Sequence, residues 1–200
     1  MATFDGPNAV FSAAVSEYVR KGYDRAKRLH LIADGAKWIE NRADELAFPG
    51  QELSMVLDWY HATEHVKDFA NETFGTGTEA NTSWYETAKS HLHEGELDEF
   101  LGLLRKSVKA SIPADGDKPN PKLDTALKYF EKRRKLLCYK WCRESGLPIG
   151  SGMVEGGVRF VGKDRLDCTG MRWGTPGASV RTNQRTQRFS KLKSAWLLAA

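Results

Sequence analysis

The stretch DWYHATEH, residues 58–65, sets His61, Glu64 and His65 in the order H-x-x-E-H, the inverted zinc-protease signature. On a helix, His61 and His65 stand four residues apart and face the same way, two imidazoles suited to Zn²⁺. Glu64 between them could act as general base toward a metal-bound water. A five-residue pattern with two free positions is a weak signal in a chain of 5 His and 26 acidic residues, and no third ligand stands at a recognisable spacing. A second pattern, GSGMVEG at 150–156, begins like the dinucleotide fingerprint G-x-G-x-x-G. Glu155 occupies the place of the third glycine, and a carboxylate there repels a pyrophosphate.

A third reading joins separate acids. Asp34 and Asp58 each close a short apolar run, and Glu155 falls on the first turn of a late helix that Ser151 can cap. Carboxylates gathered from strand ends and a neighbouring helix make a hard, oxygen-rich site for Mg²⁺ or Mn²⁺. Such a site can run two-metal phosphoryl transfer. Taken one at a time and on spacing alone, each acid is better explained as a helix cap or a solvated loop end.

The elements that must carry these residues follow from periodicity. Asn8 can cap a helix reaching Lys21, with Gly22 as its stop, and LHLIAD reads as a buried strand ending at Asp34. A helix is expected from Ala36 to about Phe48, broken by FPG; LSMVLD is a second strand, and a second helix runs from about His61 to Phe74. Strand, helix, strand, helix implies an α/β, helix-rich fold with parallel pairing. From Ser83 to Ser145 the pattern is helical apart from IPADGDKPNP at 112–121, where three prolines and a glycine enforce a loop. After Gly177 the apolar period fades, and residues 178–200 are expected to form a weakly packed tail. Trp38, Trp59 and Tyr60 are assigned mainly to packing. The cysteines, Cys138, Cys142 and Cys168, form no C-x-x-C pair and are read as reduced packing residues, the first two on one helix face.

Composition narrows the partners. The chain has 200 residues, 40% hydrophobic, enough for one core of ordinary size. It contains no run of about 18 apolar residues and no basic, apolar leader, so a cytoplasmic protein without a membrane partner is expected. Residues 1–100 carry 9 Lys and Arg against 18 Asp and Glu, while residues 101–200 carry 21 against 8. A basic half of this size suits a polyanion such as DNA, although for 120–145 alone solvated helix faces with paired charges explain it better.

Three segments, LIADGAKWIENRADELAFPG, LDWYHATEHV and LPIGSGMVEGGVRFVGKDRLDCTGMRWG, occur in this order. Together they resemble the catalytic core of bacterial insertion-sequence transposases of the DDE type, most closely the ISKra-like group related to Mutator-like transposases. The resemblance runs from about Phe4 to Gly177. It implies a ribonuclease H-like core with a helical insertion, here about 83–145, before the helix of the final glutamate. It further implies that Asp34 is the second catalytic aspartate, that Glu155 is the catalytic glutamate, and that both bind Mg²⁺ or Mn²⁺. Asp58 to His61 matches the family's C/D-x-x-H motif, so His61 belongs to that unit and the zinc signature is a coincidence of the trailing residues. The implied partners are transposon-end and target DNA and, in the intact enzyme, further copies of the chain. The family's first aspartate lies on a strand upstream of the first helix, where this sequence offers only Asp5 in TFDGP. The expectation is an N-terminally truncated core, inactive alone. The competing readings are a non-catalytic basic DNA-binding module and a zinc hydrolase using His61, Glu64 and His65.

Overall fold

The computed structural model describes residues 7–114, 116 and 118–152. Glu155, Cys168 and the segment after Gly177 lie outside them. The described residues divide into two compact units: one of 7–27, Arg42–Glu52 and 151–152, the other of Arg28–Asn41 and Leu53–Gly150.

In the first unit, helix α1 spans Pro7–Arg20 and ends before Gly22, whose φ of 74° is open to glycine at little cost. Pro7 suits a helix start because its missing N–H has no helical partner there. Asn8, expected as the cap, instead lies in the first turn and accepts a hydrogen bond from Arg42 Nη1 at 2.7 Å. The Arg42 guanidinium also covers the buried Phe11 ring, 4.3 Å from its centroid. Gln51 ties the following turn together: its Nε2 donates to the carbonyls of Tyr23 and Ala26, both at 2.8 Å, and its Oε1 accepts from the Phe48 N–H at 3.0 Å.

The second unit contains the sheet. Strand β1 covers Arg28–Ala33 and β2 Glu52–Leu57, and among the described residues these two form the whole sheet. The Glu52 N–H donates to Lys27 O and the Asp58 N–H to Ala33 O, and the constant offset between partners makes the pair parallel, as the alternating pattern implies. The expected helix from Ala36 to Phe48 is absent. Helix α2 covers only Lys37–Glu40, and a 3₁₀ turn takes Ala43–Leu46. Asn41 is a poor helix former and Arg42 leaves helical geometry at φ −122°, ψ 5°, while its guanidinium bonds Glu45 locally.

Four longer helices follow: α3 (Trp59–Phe74), α4 (Glu79–Glu94), α5 (Leu97–Ala110) and α6 (Pro121–Lys132), then a short α7 (Tyr139–Glu144). Their starts are written in local chemistry. Asp58 Oδ1 accepts from the N–H groups of Tyr60 and His61, Thr78 Oγ1 from Asn81, and Asn120 Oδ1 from Lys122 with Pro121 behind it. Gly95, at φ 75°, ends α4. The inward residues recur at helical spacing, Phe100, Leu104 and Val108 on α5 and Leu123, Leu127 and Phe130 on α6. They close over Val56, Leu57, Val66 and Phe69, with the Phe100 and Phe130 rings edge to face at 5.1 Å.

Of the three aromatic residues assigned to packing, Trp59 packs edge-on to Tyr139 at 4.9 Å, and Tyr60, 49% exposed, lays its ring against Gly150; Trp38 is 39% exposed. Cys142 is buried and its Sγ lies 3.8 Å from that of Cys138, the residue before α7, whose carbonyl accepts the Cys142 N–H at 3.0 Å, so the two thiols neighbour each other at the start of the helix. The charge asymmetry of the sequence is partly closed inside this unit. Lys122–Glu72, Arg133–Glu40, Arg134–Asp98 and Arg143–Glu94 each join a base of the second half to an acid of the first. Among the described residues no helix is long and apolar enough to cross a membrane.

Candidate functional site

Asp34 follows the last residue of β1, and the parallel register sets it beside Asp58 at one edge of the sheet. The two aspartates do different work. Asp58 is buried and its carboxylate caps α3. Asp34 is exposed, and its Oδ1 accepts the Ala36 N–H at 2.9 Å, closing a tight turn. Of the pair, Asp34 has the carboxylate that faces solvent, and its oxygens suit a hard divalent ion.

The turn after Asp34 is held from a distance by α6 and the residue that ends it. Arg133 Nη2 donates to the Gly35 carbonyl at 2.6 Å, its Nε donates to Glu40 Oε1 at 2.7 Å, and its guanidinium lies 4.2 Å from the Tyr129 ring centroid. The Tyr129 hydroxyl donates to the Asp34 carbonyl at 3.2 Å. With only 10% of its side chain exposed, the Arg133 charge would be costly without partners, and here carboxylate, carbonyl and ring face supply them. Gly35 is required for this approach. Its φ is +81°, and a Cβ there would stand 2.7 Å from Arg133 Nε and 2.8 Å from Tyr129 Oη. Burial pushes the Tyr129 phenol above its ordinary value, against the pull of Arg133, so it stays a donor.

His61 and His65 extend this cluster along α3. Their Nε2 atoms lie 3.2 Å apart with the rings nearly perpendicular. The His65 ring lies 4.4 Å from that of Tyr129 and meets Phe130 edge-on. Burial, helped by the neighbouring His61, pulls the His65 pKa below its ordinary value. Glu64 stands apart, its carboxylate 3.9 Å from His61 Nδ1 and 77% exposed. Among the described residues no three His, Cys, Asp or Glu side chains gather as a metal group.

The structure therefore brings Asp34 and the His61–His65 pair into one cluster through Tyr129, while Glu155 lies outside the described residues. Sequence reasoning missed Tyr129 and Arg133. Both sit in YFEKRRK, which reads as a solvated basic face, and only their i,i+4 spacing on the helix hinted at a shared partner. Compared with known proteins, the chain matches no family model, no curated protein and no solved structure.

Proposed function

We propose that the chain is a ribonuclease H-like catalytic core of a DDE-type DNA transposase, with residues 83–145 as its helical insertion. The observation that carries this reading is the exposed Asp34 carboxylate at the end of a strand paired in parallel, on a turn fixed by buried Arg133. Open α/β sheets bind their ligands at this edge. Asp34 and Glu155 would hold the Mg²⁺ or Mn²⁺. Bound there, divalent ions activate the attacking oxygen and stabilise the leaving oxygen of an in-line displacement. Tyr129 and Arg133 keep the Asp34 backbone in place, and His61 supports the site or positions a phosphate. Asp34 and Glu155 by themselves would hold one ion weakly, and two-metal chemistry needs a bridging ligand, so a site of these two carboxylates alone should neither nick nor join DNA.

The test combines Mn²⁺ binding, read by water-proton relaxation, with end-labelled duplex DNA carrying candidate element ends. Weak Mn²⁺ binding that is lost in both Asp34→Ala and Glu155→Ala, without cutting by the chain alone, is the expected result. Binding unchanged in both variants would refute the site. Salt-sensitive DNA binding indifferent to both substitutions would point to a non-catalytic basic module. Metal-dependent nicking abolished in Asp34→Ala would keep the family but overturn the inactivity.

A further inference from the structure

The hydrolase reading of H-x-x-E-H needs Glu64 beside the ion and a third ligand; among the described residues no third ligand joins the pair, and Glu64 lies on the Nδ1 side of His61, away from the Nε2 pair. The geometry does supply the two imidazoles in an arrangement with a separate consequence. Two nitrogens bound about 2.0–2.1 Å from one tetrahedral zinc ion stand roughly 3.3 Å apart. The Nε2 atoms of His61 and His65 are 3.2 Å apart. Two neutral imidazoles at this distance share one proton, since one Nε2 donates and the other accepts. An ion about 2.0–2.1 Å from both nitrogens sits to one side of the line between them, so it replaces the shared proton as the rings turn their Nε2 lone pairs toward it, with the nitrogens already at the required separation.

We infer that His61 and His65 form a two-imidazole chelate for a divalent ion of the zinc, nickel or copper class. His65 is held by Tyr129 and Phe130, so little ring freedom remains to be lost on binding. The His61 side chain is 39% exposed, which leaves an approach for the ion and room for waters to complete its coordination. The Glu64 carboxylate lies 3.9 Å from His61 Nδ1, the ring nitrogen that does not meet His65, so it leaves Nε2 to the ion. Imidazole nitrogen selects borderline transition ions, with copper strongest in the first-row order, and has little use for Mg²⁺. The site is thus chemically distinct from the oxygen site proposed at Asp34, and it stands or falls without the transposase reading. Because it bridges two successive turns of α3, a bound ion staples the start of the helix that leaves the sheet edge.

The experiment uses the purified full chain with Zn²⁺, Ni²⁺ or Cu²⁺ alone, Mg²⁺ as control, and competition against a chromophoric chelator. One Zn²⁺ per chain is expected, weakened about ten-fold or more in either His61→Ala or His65→Ala and retained in Cys138→Ala, which breaks up the Cys138–Cys142 thiol pair. Electron paramagnetic resonance of the Cu²⁺ form of the unsubstituted chain should show two equivalent nitrogens, a readout that does not depend on the variants folding. Zinc affinity unchanged in His61→Ala, a copper spectrum without paired nitrogens, or no zinc uptake at large excess would each overturn the site. The last would leave an imidazole–imidazole hydrogen bond only.

Discussion

Replacing Arg133 by methionine keeps the volume of the side chain and removes its charge. The substitution deletes short charge-assisted hydrogen bonds to Glu40 Oε1 and the Gly35 carbonyl, a long one to the Tyr129 carbonyl at 3.5 Å, and the guanidinium contact with the Tyr129 face. Hydrogen bonds to charged groups contribute about 1.5–3 kcal/mol each. Glu40 retains 27% exposure and regains water, so its share must be discounted, while methionine recovers packing against the ring. The net loss is about 2–4 kcal/mol. For a chain of this length each kcal/mol moves the melting midpoint by roughly 2–4 °C, so thermal unfolding should fall by on the order of 10 °C. Arg134→Met is the internal control. That neighbour pairs with an Asp98 whose side chain is 79% exposed, and its loss should cost under about 0.5 kcal/mol. Equal midpoints for the two variants, followed by circular dichroism in one buffer, would refute the claim that a buried guanidinium secures the Asp34 turn.

Further outcomes follow from the same geometry. Gly35→Ala combines a φ of +81° with a Cβ forced against Arg133 and Tyr129, and should lower stability by about 2–3 kcal/mol in urea unfolding; a neutral result would remove the close approach. Phe130→Ala opens a fully buried site against Phe100 and should cost about 3–5 kcal/mol by the same measurement. The Tyr139 hydroxyl is buried and has no hydrogen-bond partner among the described residues, so Tyr139→Phe should be neutral or stabilising by up to about 1 kcal/mol. His65 has a lowered pKa when folded, so the unfolded chain takes up its proton first on acidification. Stability contributed by neutral His65 is present above about pH 6.5 and is lost as pH falls through the depressed folded value, and His65→Asn should flatten that part of the urea midpoint against pH.

Much of the local structure was legible because it is encoded by neighbours. LHLIAD and LSMVLD each combine a short apolar run with a terminal aspartate, and the parallel pairing followed from the helices between them. The cap at Asp58 required only that a carboxylate precede a helical stretch, although its burial meant that it could not double as a solvent-facing site residue. The misread segment, Ala36 to Phe48, has a helical period, yet Arg42 leaves helical geometry at φ −122° and its guanidinium finds a distant partner in Asn8, which the local period does not encode. Arg133 was hidden for the opposite reason. Nothing next to it in KRRK distinguishes the buried arginine from exposed Arg134, and the difference lies in Gly35 and Glu40, more than 90 residues away in sequence.

That separation has a consequence for how the protein is made. The Gly35 carbonyl and the Arg133 guanidinium that secures it lie 98 positions apart. At the usual pace of 5–20 residues per second, a ribosome delivers the arginine about 5 to 20 s after the turn it must hold. During that interval the Asp34 turn, even beside a paired β2, lacks its clamp, and the Glu40 carboxylate has only water for company. The turn that bears the proposed metal ligand therefore becomes rigid late in synthesis, when α6 and the arginine behind it dock. A pause in translation between these codons would lengthen the unclamped period without altering a single residue of the finished chain.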